Sequence, residues 1–364
     1  MKVAADRLRS LVVDTLVGAG SPEAPAAVVA NHLMLADSSG VRTHGVIQLP
    51  QYLEQIEAGE LLPDVLPRVA RSDPPRELID GGRGFGQVAA EHAVDRGIAL
   101  AADAGLALVG LVRANHIGRL GHYVERACAA DMACLVWGGG YGAITPRAVP
   151  FGGRDAALDT NPLAIGVPLG DRPPLVVDFA TTALSGVKVK QAEVRGESLP
   201  PWSIVDTDGV PSTDPADFAA GGAYLPFGGE HGAHKGYGLM LAAELLGRAL
   251  AGADAFAAEG AAPTLMRHQG VTFWLTRADS FGAPSAGAGV GAFASHAETI
   301  VARVLASAPA PGHERVQYPG LPEAEAREAA KDEGVPVDDR VWDGLVAAGE
   351  RLGVEWSGVD DLAL

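Results

Sequence analysis

Gly84-Phe85-Gly86-Gln87-Val88-Ala89 is the stretch on which the fold assignment turns. It follows a predicted strand (Glu77 to Asp80), opens a predicted helix (about Gln87 to Ala104) and matches the GxGxxA fingerprint of dinucleotide-binding folds. That fingerprint also needs an acid about twenty positions on, at the end of the next strand, to hold a ribose hydroxyl. Here the next strand, Leu106 to Val112, runs into Arg113-Ala114-Asn115 without one. Two glycines before a helix serve equally well for a tight turn and close helix packing. The match alone therefore assigns no nucleotide.

Working outward, helices and strands alternate, which implies an α/β fold. Residues 1–18 read as an amphipathic helix. Ser21-Pro22-Glu23 reads as the cap, first-turn proline and first-turn acid of a second helix reaching Gly40. A third helix is predicted from about Gly45 to Ala58, with Pro50 inside it as a possible kink site. Further strands are expected at Cys134–Trp137, Leu163–Val167, Leu175–Asp178 and Val271–Leu275. Long helices are expected at Gly236–Leu250 and Ala294–Ala306, with two more closing the chain. The turn-rich stretch Asp206 to Ala233 reads as a mobile connection.

With 364 residues the chain exceeds one ordinary core, so more than one domain or subdomain is expected. A formal charge of −17 argues against a nucleic-acid or anionic-membrane surface, which needs basic patches. The two cysteines, Cys128 and Cys134, make no disulfide framework and no CxxC motif, and read as buried small hydrophobes. No window approaches about 20 uninterrupted apolar residues, and residues 1–18 lack a signal-peptide core, so no membrane partner and a cytoplasmic location are expected.

Chemistry concentrates at a few junctions. Asn115-His116-Ile117-Gly118 puts a histidine between the strand Leu106–Val112 and a helix from about Gly121, where α/β proteins place side chains into a crevice. Histidine gives and takes protons near neutral pH. His44, Gln48 and Tyr52 fall at i, i+4 and i+8 and share one face of the predicted third helix, suiting a cleft wall or a solvated stripe. Asp178 ends a strand, well placed to orient a histidine. Lys235-Gly236-Tyr237-Gly238 reads as a helix opening that could cradle an anion. His231 and His234 lack the spacing and acidic company of a metal site, so no metal is expected.

Taken in order, several segments resemble the type-2 malate/L-lactate dehydrogenase family, which includes ureidoglycolate, sulfolactate and 2,3-diketogulonate dehydrogenases and Δ1-piperideine-2-carboxylate reductases. They are residues 37–45 (Asp37 to Gly45), Asn115-His116-Ile117-Gly118, Pro150-Phe151-Gly152-Gly153, Asp159-Thr160-Asn161-Pro162, Asp178-Phe179-Ala180-Thr181-Thr182, Lys188, residues 234–238 and Pro319-Gly320. The resemblance implies a non-Rossmann NAD(P)-binding α/β fold with a mixed sheet flanked by helices. It also implies a homodimer, and hydride transfer between NAD or NADP and a small 2-hydroxy/2-oxo acid. A cyclic imino-acid reductase, or a degenerate member that only binds cofactor or acid, is the alternative. The expected division is a helical part, residues 1–75, packed with C-terminal helices 310–364, around an α/β core, residues 76–309.

By resemblance His116 is the proton donor and acceptor, with His44 and Asp178 as a second His–carboxylate pair. Thr43, Gln48 and Tyr52 would meet substrate. His44, Gly140, Thr160, Asp178, Phe179, Ala180, Lys188, His234, Lys235, Pro319 and Gly320 would meet cofactor. The family commonly has Ser where Thr43 stands and Arg where Gln48 stands. Glutamine offers no bidentate charged fork to a carboxylate, a loss of about 1.5–3 kcal/mol, so Arg42 or Arg119 is expected to take over or the acid group differs.

Overall fold

The computed structural model describes residues 1–257, 266–281 and 290–356. A short strand β1 (Lys2–Val3) leads into α1 (Ala5–Gly18) and α2 (Glu23–Ser38). Two 3-10 turns (Arg42–His44 and Val46–Gln48) and α3 (Leu49–Glu57) follow. β2 (Arg68–Asp73) and β3 (Arg76–Asp80) form a hairpin, α4 (Gly86–Ala104) crosses to β4 (Leu106–Val112), and α5 (Gly121–Cys128) precedes β5 (Met132–Gly139). Next come β6 (Leu163–Leu169), β7 (Arg172–Phe179) and α6 (Gly186–Arg195). A small sheet of β8 (Ile204–Val205), β9 (Pro211–Ser212) and β10 (Ala223–Tyr224) follows, carrying α7 (Pro215–Ala219). α8 (Gly229–Ala243) continues into a π-helical segment (Glu244–Ala249). β11 (Gly270–Arg277), α9 (Val290–Leu305), α10 (Leu321–Glu333), β12 (Val335–Pro336) and α11 (Asp339–Arg351) complete the described chain.

The central sheet has seven strands in the order β2-β3-β4-β11-β5-β6-β7. Only β3 and β4 run parallel, and these are the two joined by a helical crossover, as same-direction strands require. Hairpins and longer excursions give the remaining antiparallel pairs. On one face α4 and α5 bury Ala89, Ala93, Val94, Tyr123 and Val124 against Val109, Leu111, Phe273 and Leu275. On the other, the π-helical segment lies almost in contact with the strands: a Cβ on Gly247 would stand 2.5 Å from Gly139 N and 2.9 Å from Gly270 O. A second core joins the chain ends, with Leu8, Leu11, Val12, Leu16, Val29 and Leu33 packed with Val335, Trp342, Leu345 and Trp356. Among the described residues no helix is long and apolar enough to cross a membrane.

Four local expectations are corrected. The third helix starts at Leu49, because Gly45 is extended (ψ −152°) and splits the preceding stretch into two 3-10 turns. Pro50 therefore sits in the helix's first turn and kinks nothing. Ser21 does not cap α2, since its hydroxyl donates to Pro22 O. Lys235 does not open a helix, because α8 begins six residues earlier at Gly229 and leaves no free N–H groups at Lys235 to cradle an anion. The stretch 206–233 holds ordered structure: β9, α7, β10 and the start of α8.

Candidate active site

A cleft of about 1260 Å³ opens where the ends of β4 and β7 meet the 3-10 turns. Its wall includes Thr43, His44, His116, Thr160, Asp178, Phe179, Ala180, Lys188, Pro319 and Gly320, so residues scattered over 278 positions meet in one place. The 3-10 turns are pinned from behind by α2. Asp37 accepts the Val46 N–H (2.8 Å), and a Cβ on Gly45 would collide with the Asp37 carboxylate at 1.8 Å. Burial pushes the Asp37 carboxyl up to about 7.

His116 links the cleft to the buried Tyr52. Its Nδ1 meets the Tyr52 hydroxyl at 2.8 Å, which leaves Nε2 for the cleft. Its ring stacks on that of His44 (centroids 5.6 Å apart, planes 24° apart), whose Nδ1 meets Thr43 Oγ1 at 3.0 Å. Burial, then the proximity of His44, lowers the His116 imidazole to about 3. Burial, then Arg119, lowers His44 to about 4. Both rings are therefore neutral at physiological pH. A neutral imidazole can offer an N–H to a carbonyl oxygen without carrying a charge into the cleft.

The segment carrying His116 is held at two backbone N–H groups. Arg119 N–H donates to Nε2 of His32, a buried residue on α2, at 2.8 Å. Gly121 N–H donates to Asp178 Oδ2 at 2.7 Å. Gly118 immediately precedes them at φ +72°, where a Cβ would strike His32 Nε2 at 2.2 Å, so only glycine fits both the backbone and the space. Desolvation pushes the Asp178 carboxyl up to about 6, opposed by Gly121 N–H and Arg119. The side chain faces the open cleft, where water weakens that push, and the carboxylate stays ionised at neutral pH. Asp178 thus caps α5 in this structure and makes no hydrogen bond to His44.

The cations of the cleft divide into committed and free ones. Arg119 is 2% exposed and forms a two-point pair with Glu125 (3.0 and 3.1 Å), which also takes Arg327. Arg147 pairs with Asp159 at 3.2 Å. Arg42 and Lys188 are exposed on the cleft wall and have no ion-pair partner among the described residues.

Residues 3–346 match the sequence profile of malate/L-lactate dehydrogenase. The chain belongs to the malate/L-lactate dehydrogenase family. It is 34% identical to an L-lactate dehydrogenase from Cupriavidus necator, over 97% of this chain and 99% of that one. It is 31% identical to the ureidoglycolate dehydrogenase (NAD(+)) of Escherichia coli K12, over 95% of each. The solved sulfolactate dehydrogenase of Methanocaldococcus jannaschii superposes with a TM-score of 0.85 at 30% identity, covering 100% of this chain and 99% of that one.

Within this malate/L-lactate dehydrogenase fold, five residues singled out from sequence stand off the cleft wall. Gln48 turns its amide back to Thr43 O (2.8 Å). Tyr52 is 1% exposed and spends its hydroxyl on His116, so it supports the histidine from behind. Gly140 faces protein: its N–H donates to Glu244 (2.8 Å), and a Cβ would strike His268 O at 2.0 Å. His234 and Lys235 lie exposed on α8, His234 against the ring of Phe151. Among the described residues no group of three or more metal-ligating side chains is assembled, and His231 and His234 sit on the exposed surface of α8. Sequence reading missed His32 and Gln87. His32 carries no local signal, being 87 positions from its partner Arg119. Gln87 lies inside the glycine motif, and nothing local marks it as the partner of Tyr52, 35 positions away.

Proposed function

We propose that this dehydrogenase moves hydride between a nicotinamide cofactor and a small 2-hydroxy or 2-oxo acid, with His116 exchanging the proton. The observation that carries this reading is the neutral His116, held at Nδ1 by buried Tyr52 with its other nitrogen left for a cleft of dinucleotide size. A carbonyl oxygen placed there would accept the Nε2 hydrogen bond, and as negative charge develops on it the Nε2 proton would follow while the Tyr52 hydroxyl proton passes to Nδ1, so that the ring stays neutral. In oxidation both protons would run back, the substrate hydroxyl proton to Nε2 and the Nδ1 proton to the Tyr52 oxygen. An imine nitrogen presents the same demand, so cyclic imino acids belong to the same screen.

The donor set fits the cofactor: Lys188 is a free cation for a phosphate, Phe179 offers an aromatic wall, and the Pro319–Gly320 turn offers backbone. When bound, the nicotinamide supplies or accepts the hydride. Arg42, in the same 3-10 turn as His44, is the free cation for the substrate's carboxylate, because Arg119 is held by Glu125. A homodimer would cover the outward-facing Phe151, Leu241 and Leu245 together with His234. A reducing compartment such as the cytoplasm suits the two free, buried cysteines.

The test is consumption of NADH and of NADPH, followed by absorbance, across a panel of 2-oxo acids and cyclic imines. Turnover with at least one member, and a preference between the two cofactors, is expected. No consumption with any of them by folded protein that binds the cofactor would overturn the reading.

A further inference from the structure

The glycine motif Gly84–Ala89 takes no part in the cleft wall, yet it is built against the catalytic histidine. α4 begins at Gly86, and a Cβ there would stand 2.2 Å from Asn115 O and 2.3 Å from His116 O. Asn115 returns the contact by donating its amide to Arg83 O (2.8 Å) and Gly84 O (3.1 Å). The absent side chain lets the helix start lie directly on the backbone of residues 115–116. That approach delivers the next residue, Gln87, into the interior, where its Nε2 donates to the Tyr52 hydroxyl at 2.7 Å. Gln87 and Tyr52 are each 1% exposed, so no bulk water competes for the phenol oxygen.

Resting on the reading of His116 as the proton-exchanging group, we propose that Gln87 is a positioning residue that sets the tautomer of His116 through Tyr52. The protons carried by the three groups fix the direction of both bonds. An amide nitrogen only donates, so the Tyr52 oxygen accepts from Gln87. The single phenolic proton then goes to the other neighbour, His116 Nδ1, at 2.8 Å. A neutral imidazole that accepts at Nδ1 carries its own proton at Nε2. The chain Gln87 to Tyr52 to His116 therefore presents an N–H to the cleft, the form that hydrogen-bonds a carbonyl oxygen. The turn that looks like a dinucleotide fingerprint serves the acid–base residue and leaves the cofactor to other segments.

The test is nitrogen NMR of the full-length protein labelled with 15N-histidine, the His116 signals being those lost in His116→Ala. Wild type should show an acceptor-type Nδ1 and a protonated-type Nε2. In Gln87→Met and in Tyr52→Phe the two resonances should move toward each other as the tautomers mix. The opposite pattern in wild type, or an unchanged pattern in either variant, would overturn the assignment. This readout needs no turnover, so it stands or falls separately from the proposed reaction. In the kinetic arm, Gln87→Met should lower kcat on the order of ten-fold, the scale of one buried hydrogen bond, and should add nothing in a Tyr52→Phe background. A Gln87→Met loss that multiplies with the Tyr52→Phe loss would show that Gln87 does not act through Tyr52.

Discussion

Replacing Gly86 by alanine tests how tightly α4 and the segment carrying His116 are joined. The new methyl would meet two backbone oxygens at 2.2 and 2.3 Å, where ordinary contact begins near 3.4 Å. Neither oxygen is the tip of a flexible side chain, so relief requires α4 and residues 115–116 to part by about 1 Å, a displacement of the kind that overpacking imposes. That shift has two consequences. Overpacking of this kind costs about 1–3 kcal/mol of stability. A displacement of about 1 Å also stretches the 2.8 Å contact between Tyr52 and His116 beyond hydrogen-bond range. Misplacing an acid–base group by that much costs roughly 10²-fold in rate. Thermal melting, cofactor titration and kcat for 2-oxo acid reduction would be measured side by side. The expected result is a lowered melting temperature and a kcat reduced about a hundred-fold, with cofactor affinity changed far less because the motif is off the cleft wall. A Gly86→Ala protein with wild-type kcat and melting temperature would refute the reasoning.

Further outcomes follow from the same geometry. His116→Ala should fold and bind cofactor yet lose about 10²–10⁴-fold in kcat, and undiminished turnover would remove His116 from the chemistry. Arg42→Gln should lower kcat/KM about ten- to hundred-fold for a carboxylate substrate and leave its neutral amide untouched. Equal losses on both would show that Arg42 does not meet the acid group. His32 is pushed well down by burial, so the fold keeps it neutral while unfolded histidine gains a proton near about 6.5. Its stabilising contribution is complete above about pH 6.5 and is lost as pH falls. Asp37, raised to about 7, acts in the opposite sense by binding its proton more tightly in the fold, so the quantity to read is the difference between variant and wild type. Denaturant midpoints at about pH 7.5 and about pH 5 should therefore fall less for His32→Gln than for wild type, and identical slopes would contradict a buried neutral His32. Gly344 lies in α11 with open space around its Cα, so Gly344→Ala should raise stability by about 0.5–1 kcal/mol and the melting temperature by about 2 °C. A lower melting temperature would show that the position is crowded.

Alternation of apolar and helical periods is a local property, and the sequence alone therefore determined most of the sheet. Apolar periodicity places Leu106–Val112 with its observed bounds, and residues 134–137, 163–167, 175–178 and 271–275 fall inside β5, β6, β7 and β11. The absent acid after Val112 weakens the nucleotide reading of the glycine motif. The order and spacing of Asp37–Gly45, Asn115–Gly118 and Asp178–Thr182 carried the family. Helix boundaries near Gly45 and Gly229 escaped, because backbone angles and chain entry there depend on what packs behind, such as the Asp37 carboxylate against Gly45. Only the tertiary structure decided which polar groups answer one another. Arg119 reads in sequence as a substrate cation, but Glu125, six positions along, closes on it and takes it out of use. Tyr52 reads as a cleft residue, but its hydroxyl is buried against His116 Nδ1. Gln87 reads as filler between glycines until α4 is laid on residues 115–116. Hydrogen-bond partners 35 and 64 positions apart are set by packing in three dimensions, and no local pattern records them.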